Sequence, residues 1–130
     1  LDTFGEGIHL FRDPTRGGMA SVLSEISHDI GMGVKIFEND FPLEKQVAAA
    51  CEILGLDPLY VANEGVFISI VEENIAEQVL DMMKKDPKGV NARCVGYITE
   101  EHPKKVVMQS SIGGKRMVSP LIGEQLPRIC

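Results

Sequence analysis

Apolar residues in this chain fall at helical spacing in three stretches, separated by two β-rich runs and followed by three more, and that order admits few folds. Met19, Val22, Leu23, Ile26 and Ile30 line one stripe of a helix over 17–30. Gly31 is placed to end it. The spacing then predicts a strand over 34–37. Pro42 suits the start of a second helix, in which Val47, Ala50, Cys51 and Leu54 keep the helical period until Gly55. The run 66–71 is β-rich and nearly all apolar, as expected of a strand buried on both faces. Ile75, Val79, Leu80, Met82 and Met83 mark a third helix that should finish before Pro87. The final third predicts strands over 93–99, 105–109 and 115–118, with Gly113 and Gly114 supplying a tight turn between the last two. Helices alternating with strands, then strands alone, imply an α/β (α+β) layered domain whose mixed β-sheet packs against helices.

Composition narrows the class of function. The 130 residues, 44% of them hydrophobic, suffice for one domain with a real core. No apolar run approaches the roughly 20 residues of a membrane helix, and residues 1–12 lack the basic start and apolar stretch of a secretion signal. Thirteen Lys and Arg against nineteen Asp and Glu leave a net charge of −6. That balance opposes nucleic-acid binding, which needs a concentrated basic stripe. Cys51, Cys94 and Cys130 form no CxxC pair, so a zinc knuckle or thioredoxin motif is unsupported and no metal site is expected in this domain. Free thiols suit a reducing cytoplasm. Cys51 sits on an apolar helical stripe and reads as core; Cys94 falls within a predicted strand and reads as structural. The chain opens at Leu1 rather than Met, so a further piece upstream is expected.

Three places could carry chemistry. The first is Arg12-Asp13-Pro14-Thr15-Arg16-Gly17-Gly18, just before the first helix. Glycines let backbone N–H groups approach an anion, and a helix start adds a favourable dipole. Thr15 offers a hydroxyl, and Arg12 and Arg16 can grip phosphate or carboxylate in a forked geometry. The plainer reading is a helix cap made by Asp13 or Thr15, with the glycines forming the turn. The two readings are compatible. The second place is Asn63-Glu64-Gly65, leading into the apolar run. Glu64 could serve as a general base if its surroundings tune it, or the tripeptide is an ordinary turn.

The third place is the terminus, Gly123-Glu124-Gln125-Leu126-Pro127-Arg128-Ile129-Cys130. Residues 120–130 hold two prolines and a glycine and are expected to be irregular and mobile. Eleven such residues reach about 35 Å when extended. A thiol at the end of such a tail is unlike the usual burial of cysteine; the alternative is coincidence. Arg128 favours a thiolate and the terminal carboxylate opposes it.

In this order, RDPTRGGMA near the start, PLYVANEG in the middle, IGGKR late and GEQLPRIC at the end resemble the HypE-type hydrogenase maturation proteins, carbamoyl dehydratases of the aminoimidazole-ribonucleotide synthetase (PurM-like) family. The ending separates this type from relatives such as selenophosphate synthetase. The resemblance implies a C-terminal domain over 1–119, a mobile tail over 120–130 and an N-terminal domain, absent from this chain, that binds most of the ATP with its Mg and forms a homodimer. It implies that Cys130 receives a carbamoyl group from the carbamoyltransferase HypF. ATP-dependent dehydration to a thiocyanate would follow, and cyanide would pass to iron on the HypC–HypD complex for the nickel–iron centre of hydrogenase. Glu64 would be the base. Arg12, Asp13, Thr15, Arg16, Gly17, Gly18 and Asn63 would line the groove for phosphate or tail. Two other readings remain open on the residues alone: a partner-docking module without chemistry, and another ATP-dependent synthetase of the same family.

Overall fold

The helix over Gly18–Ile30 (α1) presents Ala20, Val22, Leu23 and Ile26 as a buried stripe and lays it across a sheet. The computed structural model of the chain describes residues 7–14, 17–61 and 66–120. Among these, the order is β1 (Ile8–Arg12), α1, β2 (Gly33–Phe37), α2 (Lys45–Leu54), β3 (Ile68–Val71), α3 (Ala76–Lys85), β4 (Gly96–Thr99), β5 (Val106–Gln109) and β6 (Lys115–Val118). The four-stranded sheet runs β4-β2-β5-β6; β2 and β5 are parallel, and the outer pairs are antiparallel. This is the layered α/β domain with a mixed sheet that the apolar periods imply.

Val34 and Ile36 on β2, Val106 and Met108 on β5 and Val118 on β6 meet the α1 stripe in the core. Alternation along the strands explains why these positions are buried while Lys35, Phe37, Val107, Gln109 and Met117 are less so. Ser27 is the polar exception. It is fully buried on α1, and its hydroxyl donates to the Met32 carbonyl at 2.7 Å, with the Lys105 carbonyl 3.3 Å away. That satisfies the buried hydroxyl and ties the helix to the loop before β5.

The helix ends follow glycine chemistry. Gly31 and Gly55 cap α1 and α2 with φ of 72° and 69°, the left-handed conformation that a glycine adopts without steric cost. α3 stops at Asp86, before Pro87. The turn between β5 and β6 closes through Gly113 N–H to the Ser110 carbonyl at 3.1 Å.

Four expectations are corrected. The run 66–71 is not buried on both faces: β3 is Ile68–Val71, Val66 and Phe67 are exposed, and within the strand only Ile68 is buried. It forms an antiparallel two-stranded sheet with β1 rather than a central strand of the larger sheet. β1 itself was not anticipated; its apolar alternation spans only Ile8 and Leu10, and a register irregularity between them blurs it. Cys94 lies outside β4 and is exposed, so it is not a structural core residue. On α2 the helical period holds but the burial does not. Cys51 is buried as expected, whereas Val47 and Leu54 face outward.

Candidate functional site

The glycine pair at the start of α1 has two separate structural jobs. Gly17 is the N-cap, with φ 72°, and has no side chain with which to cap. The cap is therefore not Asp13, which is exposed. Gly18, φ 66°, is buried directly against the backbone of residues 59–61. A Cβ there would stand 2.6 Å from the Leu59 carbonyl oxygen and 2.7 Å from that of Val61. Only glycine permits that approach, so this part of the motif is explained by packing.

The segment that Gly18 meets is a single 3-10 turn, Pro58–Tyr60. Asp57 caps it, accepting from the Leu59 N–H at 3.0 Å, and proline in the first turn suits the start. Leu59 enters the core and the Tyr60 ring packs against it. Two contacts then join this turn to the end of β6: Arg116 donates to Asp57 at 2.7 Å, and the Tyr60 hydroxyl donates to the Ser119 carbonyl at 2.6 Å. The turn is thus held between the start of α1 and the strand from which residues 120–130 depart.

Arg12 ends β1 and its guanidinium donates to the Glu25 carboxylate of α1 at 2.5 Å. In this arrangement it holds β1 to the helix. Thr15, Arg16, Asn63, Glu64 and Cys130 lie outside the described residues. Their neighbours Pro14, Gly17 and Val61 are described, and Gly17–Gly18 and Val61 lie at the same contact. The chain segments leading to the first two motifs and to the tail are therefore brought together at the turn 58–60.

Asp57, Tyr60, Arg116 and Ser119 were missed as site residues. Their signal was present, since Tyr60 lies inside PLYVANEG and Arg116 inside IGGKR, but nothing in one dimension pairs positions 59 residues apart. Among the described residues, no three His, Cys, Asp or Glu come together in a way that could hold a metal ion, and no helix is long and apolar enough to cross a membrane.

The family model for AIR synthase related protein, C-terminal domain, matches residues 1–109. The chain is 46% identical over 123 residues to carbamoyl dehydratase HypE of Azotobacter vinelandii, covering 95% of this chain and 36% of that protein. It superposes on a crystal structure of hydrogenase maturation protein HypE in complex with ATP with a TM-score of 0.88, at 41% identity, covering 95% of this chain and 38% of the other. A crystal structure of a HypE–HypF complex matches with a TM-score of 0.86 at 41% identity, over 92% of this chain and 38% of that one. The chain thus spans little more than a third of the length of the relatives it matches. With 109 of its residues matched by one model and its fold shared with those structures, the chain belongs to the AIR synthase related protein family, as its C-terminal domain.

Proposed function

We propose that this chain is the C-terminal domain of an ATP-dependent carbamoyl dehydratase of the hydrogenase-maturation type, with Cys130 carrying the reacting group. Residues 1–119 form the folded domain and 120–130 an arm. An N-terminal domain, which supplies most of the ATP site and the homodimer contact, completes the protein. The name of the Azotobacter vinelandii relative supports the activity, and the ATP complex of a matched structure supports the nucleotide. The observation that carries the reading is the meeting at one turn of the glycine pair, the segment leading to Glu64 and the root of the arm.

The residue types suit the chemistry. A carbamoyl group on the Cys130 sulfur is a thiocarboxamide whose oxygen is a poor leaving group. Attack of that oxygen on the γ-phosphate of ATP expels ADP and leaves the oxygen phosphorylated. Removal of the remaining N–H proton then expels phosphate and leaves the nitrile of a thiocyanate. The balance is thiocarboxamide plus ATP giving thiocyanate, ADP and phosphate, with the released protons passing to base and solvent. Glu64 is the base for the N–H proton. Arg16, Thr15 and the backbone at Gly17 are the donors proposed for phosphate, with Asn63, Asp13 and Arg12 as further candidates. Mg²⁺ accompanies the nucleotide and offsets phosphate charge.

The carbamoyl donor is HypF, consistent with the matched HypE–HypF complex. The acceptor of cyanide is the iron-carrying HypC–HypD complex, and the reaction belongs in the cytoplasm, where the thiol stays reduced. The test is intact-mass analysis of the full-length protein with HypF, carbamoyl phosphate and ATP. Cys130 should gain a carbamoyl group and then lose one water. Cys130→Ser should do neither, and modification that persists in that variant refutes the reading.

A further inference from the structure

β1 and β3 form a sheet of two strands, and its two faces differ. Leu10, Ile68 and Ile70 join the core that includes the α1 stripe, and Leu10 stands opposite Ile70 in the register of the pair. Phe11 stands opposite Ser69, so these two share the other face. Phe67, two residues before Ser69, brings its ring to that of Phe11 with centroids 5.6 Å apart. The two residues are 45% and 48% exposed. A solvated sheet face carries polar side chains at such positions, and a contiguous apolar patch marks a surface that something covers. Ser69 adds a second sign. Its hydroxyl is out of water and has no hydrogen-bond partner among the described residues, a state that folded proteins seldom leave. Both outer edges of the sheet are also unpaired among the described residues, and two strands are marginal until a further layer or strand supports them.

We propose that the segment immediately upstream of residue 1 in the full-length protein packs across Phe11 and Phe67, making the β1–β3 sheet a middle layer between that segment and the core. The proposal rests on the reading of this chain as the C-terminal part of a longer protein. The chain spans 36% of the length of the Azotobacter vinelandii relative, so ample chain lies outside it. That chain arrives at this sheet. The carbonyl of Gly7, one residue before β1, accepts from the N–H of Glu72, one residue after β3, at 2.8 Å. A segment tethered beside the patch meets it at an effective concentration that a separate molecule rarely matches. The side chains it turns toward the rings are apolar, and one polar group among them satisfies the Ser69 hydroxyl. Three packed layers around one core are an established way to bury both faces of a sheet.

The experiment uses the full-length protein. Hydroxyl-radical footprinting of the unsubstituted chain reads the cover directly. Oxidation of Phe11 and Phe67 should be lost to the level of core Ile36, while Ile112, 93% exposed on the turn between β5 and β6, is labelled freely. Rings oxidised in proportion to their exposure here would overturn the proposal. A photo-cross-linker then identifies the occupant. Phe11→p-benzoylphenylalanine and, separately, Phe67→p-benzoylphenylalanine keep an aromatic ring at each position. On illumination either should join, within one polypeptide, to a peptide upstream of residue 1. A product of doubled mass would assign the face to a second copy, and a cross-link to residues 121–130 would assign it to the end of the same chain. Each of these overturns the proposal, as does the lack of an upstream cross-link from both positions. Intact mass of the native protein tests the parent reading separately. A mass with no room for an upstream domain refutes that reading, whereas an upstream domain that packs elsewhere refutes only the proposal.

Discussion

The Tyr60 hydroxyl donates to the Ser119 carbonyl at 2.6 Å, joining the turn after α2 to the end of the last strand across 59 residues of chain. That bond and the Arg116–Asp57 pair are the cross-links that bring the middle and late motifs of the chain to one place. Their strengths differ, which the following substitutions exploit.

Asp57→Ala should cost more than Arg116→Ala. Arg116 and Asp57 are partly exposed, and such a pair contributes about 0–1 kcal/mol. Asp57 also caps the 3-10 turn through the Leu59 N–H, and loss of a helical cap costs about 1 kcal/mol. Urea denaturation of both variants checks the order. Added salt should narrow the Arg116→Ala effect and leave most of the Asp57→Ala effect in place.

Gly18→Ala should be strongly destabilising, by about 2 kcal/mol or more, although it adds one methyl group. The new Cβ meets two carbonyl oxygens closer than 3 Å, and the φ of 66° is unfavourable for alanine. Thermal unfolding of the full-length protein measures it. Gly31→Ala is the control: its φ of 72° carries the same backbone penalty, but no atom lies within 4 Å of the added carbon. The difference between the two isolates the cost of the close approach.

Ile36→Ala should remove about 2–5 kcal/mol, because Ile36 on β2 is 1% exposed within the core and the cavity would be enclosed. Ile53→Ala, at 84% exposure on α2, should change stability by no more than about 0.5 kcal/mol. Chemical denaturation separates the two readily.

Glu64→Gln in the full-length protein should leave carbamoylation of Cys130 intact and stall its dehydration. Glutamine preserves shape and removes the basic carboxylate, and a general base contributes about 10²–10⁴-fold. The expected product is a carbamoylated protein that fails to lose water, seen by mass. Dehydration at the normal rate would make Glu64 a turn residue and assign the base to another domain.

Residues 1–130 alone should show neither ATP hydrolysis nor dehydration, because the proposal assigns most of the nucleotide site to the rest of a protein nearly three times as long. Phosphate release by the purified fragment, measured against buffer, checks this. Robust turnover would reassign the labour between the two parts.

The sequence by itself determined the elements whose signal is local. The stripe of Val22, Leu23 and Ile26 specifies α1 because helical period and burial agree there, and Gly31 and Gly55 stop their helices because a left-handed residue is a single-position requirement. The family resemblance was legible for the same reason, carried by contiguous motifs. Tertiary structure decided what depends on partners far along the chain. An apolar run such as 66–71 reads alike for a central strand and for a strand in a two-stranded sheet; pairing with β1 rather than with β2 or β5 made it the second. Val47 and Leu54 keep the period of α2 yet face outward, because burial depends on what packs against a helix and not on the helix alone. The roles of Gly18 and Tyr60 likewise emerged only when the backbone of residues 59–61 and the carbonyl of Ser119 were in place beside them. Hydrogen bonds and close approaches between residues tens of positions apart leave no periodic trace, so only the folded chain reveals them.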